Sequence, residues 1–362
     1  MNRVPAGVGK NISAVVALEI PSLALNKSKL SLAGSLGIID NVLKIPSNSG
    51  TLILNLHDIG CKNRCVFCGK HTDYASKKRS NTIARQELKK LELLNNKKLD
   101  ISQIIISGND PLGYYNFTGF LKEIKKRTSI NIFLQSHCID FENISYLKKV
   151  IAVGNINKIQ VPIYGHIAKI HDSVTKNPGS FNSIIKALGN FKKIGFDEIQ
   201  VNTLFLKQNE DYLLPFFSFL ISLGHTIDAS LPCIPSFKGI YFRNSAKYIP
   251  DIDKVKLFFE KLKKIEKGVS LLRLHDIPFC LAPGIKNVSF RSELSYKGYD
   301  HFKNKPIDTE IIRGEIIAAY RILAKDKKCR SCIFDKACKG ITKPYIDLGL
   351  FKAKPQINRK FT

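Results

Sequence analysis

From Leu52 onward, short apolar runs alternate with longer amphipathic stretches. The short runs predict strands at residues 52–56, 103–106, 130–135, 158–163, 198–205 and 226–231, several of them rich in Ile, Leu, Val or Phe. Helices are predicted near residues 83–94, 120–126, 144–152, 180–191, 211–223 and 255–265, several with apolar positions spaced i, i+3, i+4. Strand and helix in strict alternation imply parallel strands joined by helical crossovers. Six such units over residues 49–265 predict an α/β fold, a partial (β/α)6 TIM-like barrel. In that architecture functional side chains gather at the C-terminal ends of the strands and in the loops that follow.

The two ends of the chain break this rhythm. Residues 1–48 read as an N-terminal extension, with a β-rich cap expected because residues 37–43 and 51–56 flank the turn-prone run Pro46-Ser47-Asn48-Ser49-Gly50. Beyond residue 265 the alternation fades. Residues 266–362 read as a separate appendage with one helix near 310–323 and a group of cysteines.

Composition narrows the class. Hydrophobic residues make up 44% of the 362 positions and charged residues 24%, which is ordinary for a folded globular chain. No apolar span of about 20 residues occurs, so neither a membrane anchor nor a signal peptide is expected. Nine unevenly spaced cysteines do not suit a secreted disulfide framework and point to a reducing, cytoplasmic setting with metal or redox use. The net charge of +27 invites an anionic partner such as RNA. Its lysines are scattered, however, without a dense basic block interleaved with aromatics, so nucleic acid is not the favoured partner and a membrane partner is not expected.

After the first predicted strand the chain reads Gly60-Cys61-Lys62-Asn63-Arg64-Cys65-Val66-Phe67-Cys68-Gly69. Three soft thiolates within eight residues can wrap one small metal site, and the close spacing lowers the cost of closing the loop. A [4Fe-4S] cluster takes four ligands, so three cysteines would leave one iron open, whereas structural zinc usually takes four closed ligands. Cys-x3-Cys-x2-Cys, with the aromatic Phe67 just before the last cysteine, resembles the signature of the radical S-adenosylmethionine (SAM) superfamily. The resemblance implies a [4Fe-4S] cluster on Cys61, Cys65 and Cys68 whose open iron is chelated by SAM. It also implies reductive cleavage of SAM to a 5′-deoxyadenosyl radical that abstracts hydrogen from a substrate, and an electron donor such as flavodoxin or ferredoxin.

Further positions carry the resemblance along the barrel. Ser107-Gly108-Asn109-Asp110-Pro111, after the second predicted strand, is similar to the family's Gly-Gly-Glu-Pro segment, which hydrogen-bonds the SAM amino group; Ser107 and Asn109 depart from the commonest form and Asp110 is one methylene shorter than glutamate. Ser136, at the end of the third strand, and Asn202, on the fifth, are further candidate SAM contacts. The segment Val161 to Gly165, the pair His171-Asp172 and the run Gly179-Ser180-Phe181 also look like family features. His171 and Asp172 are expected to be a packed histidine and a helix cap, not an acid-base pair. Cys138 and Cys233 are expected to be buried free cysteines.

The second cysteine group reads Cys329-Arg330-Ser331-Cys332, with Cys338 six residues on and Cys280 upstream. Four thiols suit either a complete [4Fe-4S] cluster or a structural zinc. Their arrangement, with Gly340 and residues 345–349, resembles the SPASM or Twitch auxiliary-cluster domains of many radical SAM enzymes. Thr342 stands where a full SPASM domain would place another cysteine, so the resemblance implies one auxiliary cluster. The order of features from Thr51 to Gly340 is most similar to peptide maturases of the His-Xaa-Ser type. Modification of RNA or of a small metabolite remains an alternative, as does a non-catalytic zinc or Fe-S protein that binds nucleic acid.

Overall fold

The computed structural model describes residues 50–68, 73–95, 101–232, 234, 245–262, 269–285, 287–289, 298–300, 305–307 and 323–357. The expected N-terminal extension, Cys233 and residues 310–322 of the expected C-terminal helix lie outside these residues.

Eight parallel strands follow one another in chain order across one sheet: β1 (Gly50–Leu56), β2 (Ile101–Gly108), β3 (Asn131–Gln135), β4 (Ile156–Pro162), β5 (Ile199–Leu204), β6 (Thr226–Ser230), β7 (Leu272–His275) and β8 (Val288–Ser289). Between them run α1 (Lys77–Lys89), α2 (Phe117–Arg127), α3 (Ile144–Val153), α4 (Ala168–Thr175), α5 (Ser180–Lys193), α6 (Leu213–Ser222) and α7 (Ile252–Leu262). This is an α/β partial barrel, with all six predicted strands and all six predicted helices in place, their ends shifted by a few residues. The C-terminal part contributes two short antiparallel pairs and a short helix: β9 (Gly298–Asp300) with β10 (Lys305–Ile307), β11 (Leu323–Ala324) with β12 (Ile341–Thr342), and α8 (Lys343–Asp347).

The sheet goes further than the sequence rhythm predicts. β7 and β8, which the sequence places in the appendage beginning at residue 266, pair in parallel onto β6 and onto each other. Four and two residues are too short to register as a repeating unit, and only Leu272 and Leu274 of β7 supply an apolar face. The eight-residue helix α4 likewise lies below the length at which periodicity is legible. Leu323, expected to end a helix, pairs instead with Thr342 across β11 and β12.

Alternation along each strand builds the core. Leu52, Leu54 and Leu56 on β1, Ile104 and Ile106 on β2, Ile132 and Leu134 on β3, and Val201 on β5 are buried on the helix-covered face. Behind β5 and β6, Phe205 packs against Phe217 and Phe259 with ring centroids 5.3 and 5.4 Å apart. Burying each such ring contributes about 2–3 kcal/mol. Among the described residues β1 is the edge of the sheet, where the buried Glu87 of α1 accepts from the Asn55 amide on Oε2 at 2.6 Å.

Gly108, the last residue of β2, is a point of close backbone approach between β1 and β2. Its φ is +146°, and a Cβ there would lie 2.2 Å from the Leu56 carbonyl oxygen. Gly108→Ala is therefore expected to lower stability by about 3 kcal/mol or more, read as the urea midpoint of the purified protein. An unchanged midpoint would mean that the β1 and β2 ends are not held this close.

Candidate active site

The loop bearing the first three cysteines follows β1 at the C-terminal end of the barrel. Its backbone is clamped from α4. The Arg64 amide donates to the Thr175 carbonyl at 2.7 Å and the Val66 amide to the Val174 carbonyl at 2.9 Å. These carbonyls belong to the last turn of α4, where helical acceptors have no partner within the helix. Asn177 Nδ2 adds a bond to Asn63 Oδ1 at 2.8 Å.

The junction behind this clamp is organised by Asp172, whose Oδ2 accepts from the Gly179 amide at 2.7 Å. Its Oδ1 accepts from the Phe181 amide at 2.9 Å and from the Ser180 hydroxyl at 2.8 Å. An anion at the start of α5 satisfies orphan amides and complements the helix dipole. Asp172 is thus a helix cap. His171 is fully buried, accepts from the Tyr164 amide on Nδ1 at 3.1 Å, and stacks on the Tyr164 ring with centroids 5.8 Å apart. Phe67, between Cys65 and Cys68, meets the other side of Tyr164 edge-on at 5.2 Å. The His171-Asp172 and Gly179-Ser180-Phe181 segments therefore stand behind the cysteine loop as its support.

Within the loop Cys65 is buried while Cys61 and Cys68 are half-buried, and none is in a disulfide. The Asn63 amide lies 3.3 Å from Cys61 Sγ and the Cys68 amide bonds the Cys65 carbonyl at 2.9 Å. Among the described residues no three His, Cys, Asp or Glu side chains converge as ligands of a single ion. The fit to a multi-iron cluster rests on the donor chemistry: three thiols outside any disulfide on a fixed loop, with an amide donor to sulfur of the kind that tunes such clusters.

The segment after β2 is stitched to the end of β1. Asn109 Oδ1 accepts from the Asp58 amide at 3.0 Å and the Asn109 amide donates to the Leu56 carbonyl at 3.4 Å. The Asn109 side chain is therefore engaged in holding two strand ends together. Ser107 stands in register with Asn55, whose Oδ1 is buried without a partner, and Pro111 begins a buried 3-10 turn. Asp110 is buried at 2% exposure and accepts from Ser136 Oγ at 2.6 Å and from the Leu112 amide at 3.4 Å. Its Oδ2 lies 3.4 Å from His137 Nδ1, which is 3.6 Å from Cys61 Sγ. Burial works against ionisation of Asp110, but the bonds from His137 and Ser136 outweigh it and hold the carboxyl below its ordinary range.

Of the residues predicted to contact SAM, Asp110 and Ser136 thus meet each other and reach the cysteine loop through His137. Asn202 does not join them; it is half-buried on β5, in register with Pro162 and Asp228. His137, in the same Ser-His step at the end of β3 as Ser136, is the link the sequence reading did not single out. Cys138 is fully buried, with its Sγ 3.4 Å from the Ser136 carbonyl, as expected of a packed thiol.

Cys280, Cys329, Cys332 and Cys338 line one cavity with Phe279 and Phe334, and none is disulfide-bonded. The Gly340 amide lies 3.4 Å from Cys338 Sγ. Gly340 has a φ of +91° and packs so closely on Ala324 that a Cβ would lie 2.0 Å from its carbonyl oxygen. Four thiols drawn from segments about fifty residues apart in sequence therefore face a shared space.

Residues 57–220 match the radical SAM superfamily. This segment is a radical SAM domain. The matched segment runs from the cysteine loop through α6 and includes both strand-end segments described above. The matched family implies a [4Fe-4S] cluster and SAM as cofactors. The fold is similar to that of native anSMEcpe with bound AdoMet, at 14% identity and a TM-score of 0.53 over 81% of this chain and 89% of that one. Streptococcus suis SuiB bound to S-adenosylmethionine gives a TM-score of 0.48 at 14% identity over 84% of this chain and 74% of that one. Escherichia coli coproporphyrinogen III oxidase, a radical SAM enzyme, gives 0.47 at 14% identity over 66% of this chain, which spans 56% of that protein's length. No curated protein matches the sequence. Among the described residues no helix is long and apolar enough to cross a membrane.

The buried support predicts a pH dependence. Burial pushes the His171 imidazole down to about 4. The unfolded chain, with an ordinary value near 6.5, takes up this proton first, so the stability from the neutral ring is complete above about pH 6.5 and lost as pH falls toward 4. The melting temperature should therefore drop across that window. His171→Asn, which keeps an acceptor for the Tyr164 amide, should show a flatter profile; equal slopes in the two proteins would assign the acid sensitivity elsewhere.

Proposed function

We propose that this chain is an iron-sulfur enzyme that reductively cleaves SAM and abstracts hydrogen from a ribosomally made peptide. The observation that carries the reading is the clamped loop of Cys61, Cys65 and Cys68 beside the buried Asp110, Ser136 and His137. Bound there, the cluster and SAM would supply a 5′-deoxyadenosyl radical, with the electron coming from a flavodoxin or ferredoxin. The three cysteines would hold the cluster and Asp110 would orient the SAM amino group from the neighbouring strand end. Gly108 and its neighbours Ser107, Asn109 and Pro111 shape the β2 end where that group would sit. The unpartnered Asn55 Oδ1 is a further acceptor on the same inner face. Asn202 would line the SAM side of the barrel from β5.

The peptide assignment draws support from fold likeness: anSMEcpe is also known with bound AdoMet and the Cp18Cys peptide, at a TM-score of 0.51 and 13% identity. The cavity bordered by Cys280, Cys329, Cys332 and Cys338 supports an auxiliary [4Fe-4S] cluster in a Twitch-like C-terminal part, in the manner of a His-Xaa-Ser-type maturase.

Anaerobically reconstituted protein reduced with dithionite should form 5′-deoxyadenosine from SAM, and Cys65→Ser should reduce this to background. Asp110→Asn should retain iron yet weaken SAM binding roughly tenfold, the worth of one charge-assisted hydrogen bond. No 5′-deoxyadenosine from iron-replete wild type would overturn the activity. Iron content should be about eight per chain and fall to about four when Cys329, Cys332 and Cys338 are replaced by Ala. Zinc at the C-terminal site would refute the auxiliary cluster.

A further inference from the structure

The inner face of the barrel changes character half-way round. Mid-strand on β1 to β3 it carries Ile53, Ile105 and Phe133, between the polar levels of Thr51, Gln103 and Asn131 and of Asn55, Ser107 and Gln135, whereas on β4 to β7 it carries Lys158, Gln160, Gln200, Asn202, Asp228 and Arg273 mid-strand as well. The alternate residues of the latter strands, among them Ile159, Val201, Ile227 and Leu274, are buried on the helix-covered face, so the polar set faces the interior. Barrel interiors of this kind are ordinarily filled by branched apolar side chains. Lys158 is half-buried and Arg273 exposed, so both charges are open to a ligand from solvent.

These side chains leave specific valences open. Asp228 is 9% exposed; its Oδ2 accepts from Gln200 Nε2 and lies 3.3 Å from His275 Nε2, while its Oδ1 is buried with no partner. Lys158 Nζ sits 5.0 Å from the centroid of the Phe133 ring. Burial, and then the nearby Arg273 charge, disfavour its protonated form, while Asp228 and Glu198 act the other way. Among the described residues neither Lys158 nor Arg273 forms an ion pair. Two cations with no carboxylate in ion-pair contact, together with a carboxylate oxygen lacking a donor, are complementary to an anion with an N–H group beside it.

We propose that the inner face of β4 to β7 binds a carboxylate of the substrate peptide through Lys158 and Arg273, with a neighbouring peptide N–H donating to Asp228 Oδ1. A carboxylate fits better than a phosphate, because Asp228 lies with the two cations and repels a dianion more than a monoanion. The site rests on the proposed peptide-modifying activity and narrows its substrate to one with an acidic side chain or a free C-terminus in the barrel.

Binding of small peptide mimics to the full chain by saturation-transfer NMR tests the site without turnover. The probes are N-acetylglutamate methylamide, which carries only a side-chain carboxylate, N-acetylglutamine, which carries only a terminal one, and the neutral N-acetylglutamine methylamide. At least one anionic probe should bind about fivefold more tightly than the neutral one, and whichever does identifies the source of the carboxylate. Arg273→Gln and Lys158→Gln should each abolish that preference. Equal binding of all three probes to wild type, or a preference that survives both substitutions, overturns the proposal. Tighter binding of N-acetylphosphoserine methylamide than of either carboxylate also overturns it, in favour of a phosphate site. Loss of the preference alongside intact SAM cleavage refutes this site alone, whereas an intact preference without SAM cleavage refutes the activity and spares the site.

Discussion

Two main-chain hydrogen bonds, from Arg64 and Val66 to the carbonyls of Thr175 and Val174, fix where three thiols stand. Within itself the loop shows only the contacts of the Asn63 amide to Cys61 Sγ and of the Cys68 amide to the Cys65 carbonyl among the bonds described above, and ordering it costs roughly 1–2 kcal/mol per residue. The last turn of a helix offers acceptors in a fixed array, and α4 presents them to the loop. That array depends in turn on Asp172, which ties the end of α4 to the start of α5, and on the buried stack of Tyr164 and His171. Support from the fourth βα unit thus reaches the loop that follows the first strand.

The same economy links the loop to its neighbours. Gly108 permits the ends of β1 and β2 to touch, which places Asp110 at a depth where Ser136 and His137 can reach it. His137 then stands between a buried carboxylate and Cys61, so the strand-end segments form one connected polar network in an apolar surround. Buried networks of this sort are stabilising only when their members are paired, and here each contact seen is made between different strand ends.

Much of this was legible in the sequence because two strong signals coincide. The alternation of β-rich and amphipathic runs located six strands, and the cysteine triplet fell directly after the first of them. Asp110 and Ser136 were found because they occupy strand ends. What escaped is local and non-periodic. β7 and β8 are too short to repeat a pattern, α4 is two turns long, and the clamp uses main-chain groups that every residue carries. The bond of the Asn109 side-chain oxygen to the Asp58 amide, beside a left-handed turn at Asp58 with φ of 58°, is likewise local and carries no sequence period. The polar inner face of β4 to β7 was spelled out residue by residue, but its meaning depends on which face the helices cover.

The central claim is that Cys61, Cys65 and Cys68 hold a cluster to which SAM binds directly. The most direct test is electron paramagnetic resonance of the reconstituted, reduced protein with and without SAM, comparing wild type with a variant in which all three cysteines are Ala. The account predicts that SAM alters the wild-type spectrum and leaves that of the variant unchanged. A spectrum indifferent to SAM in wild type, or a SAM response that persists without the three cysteines, would contradict it.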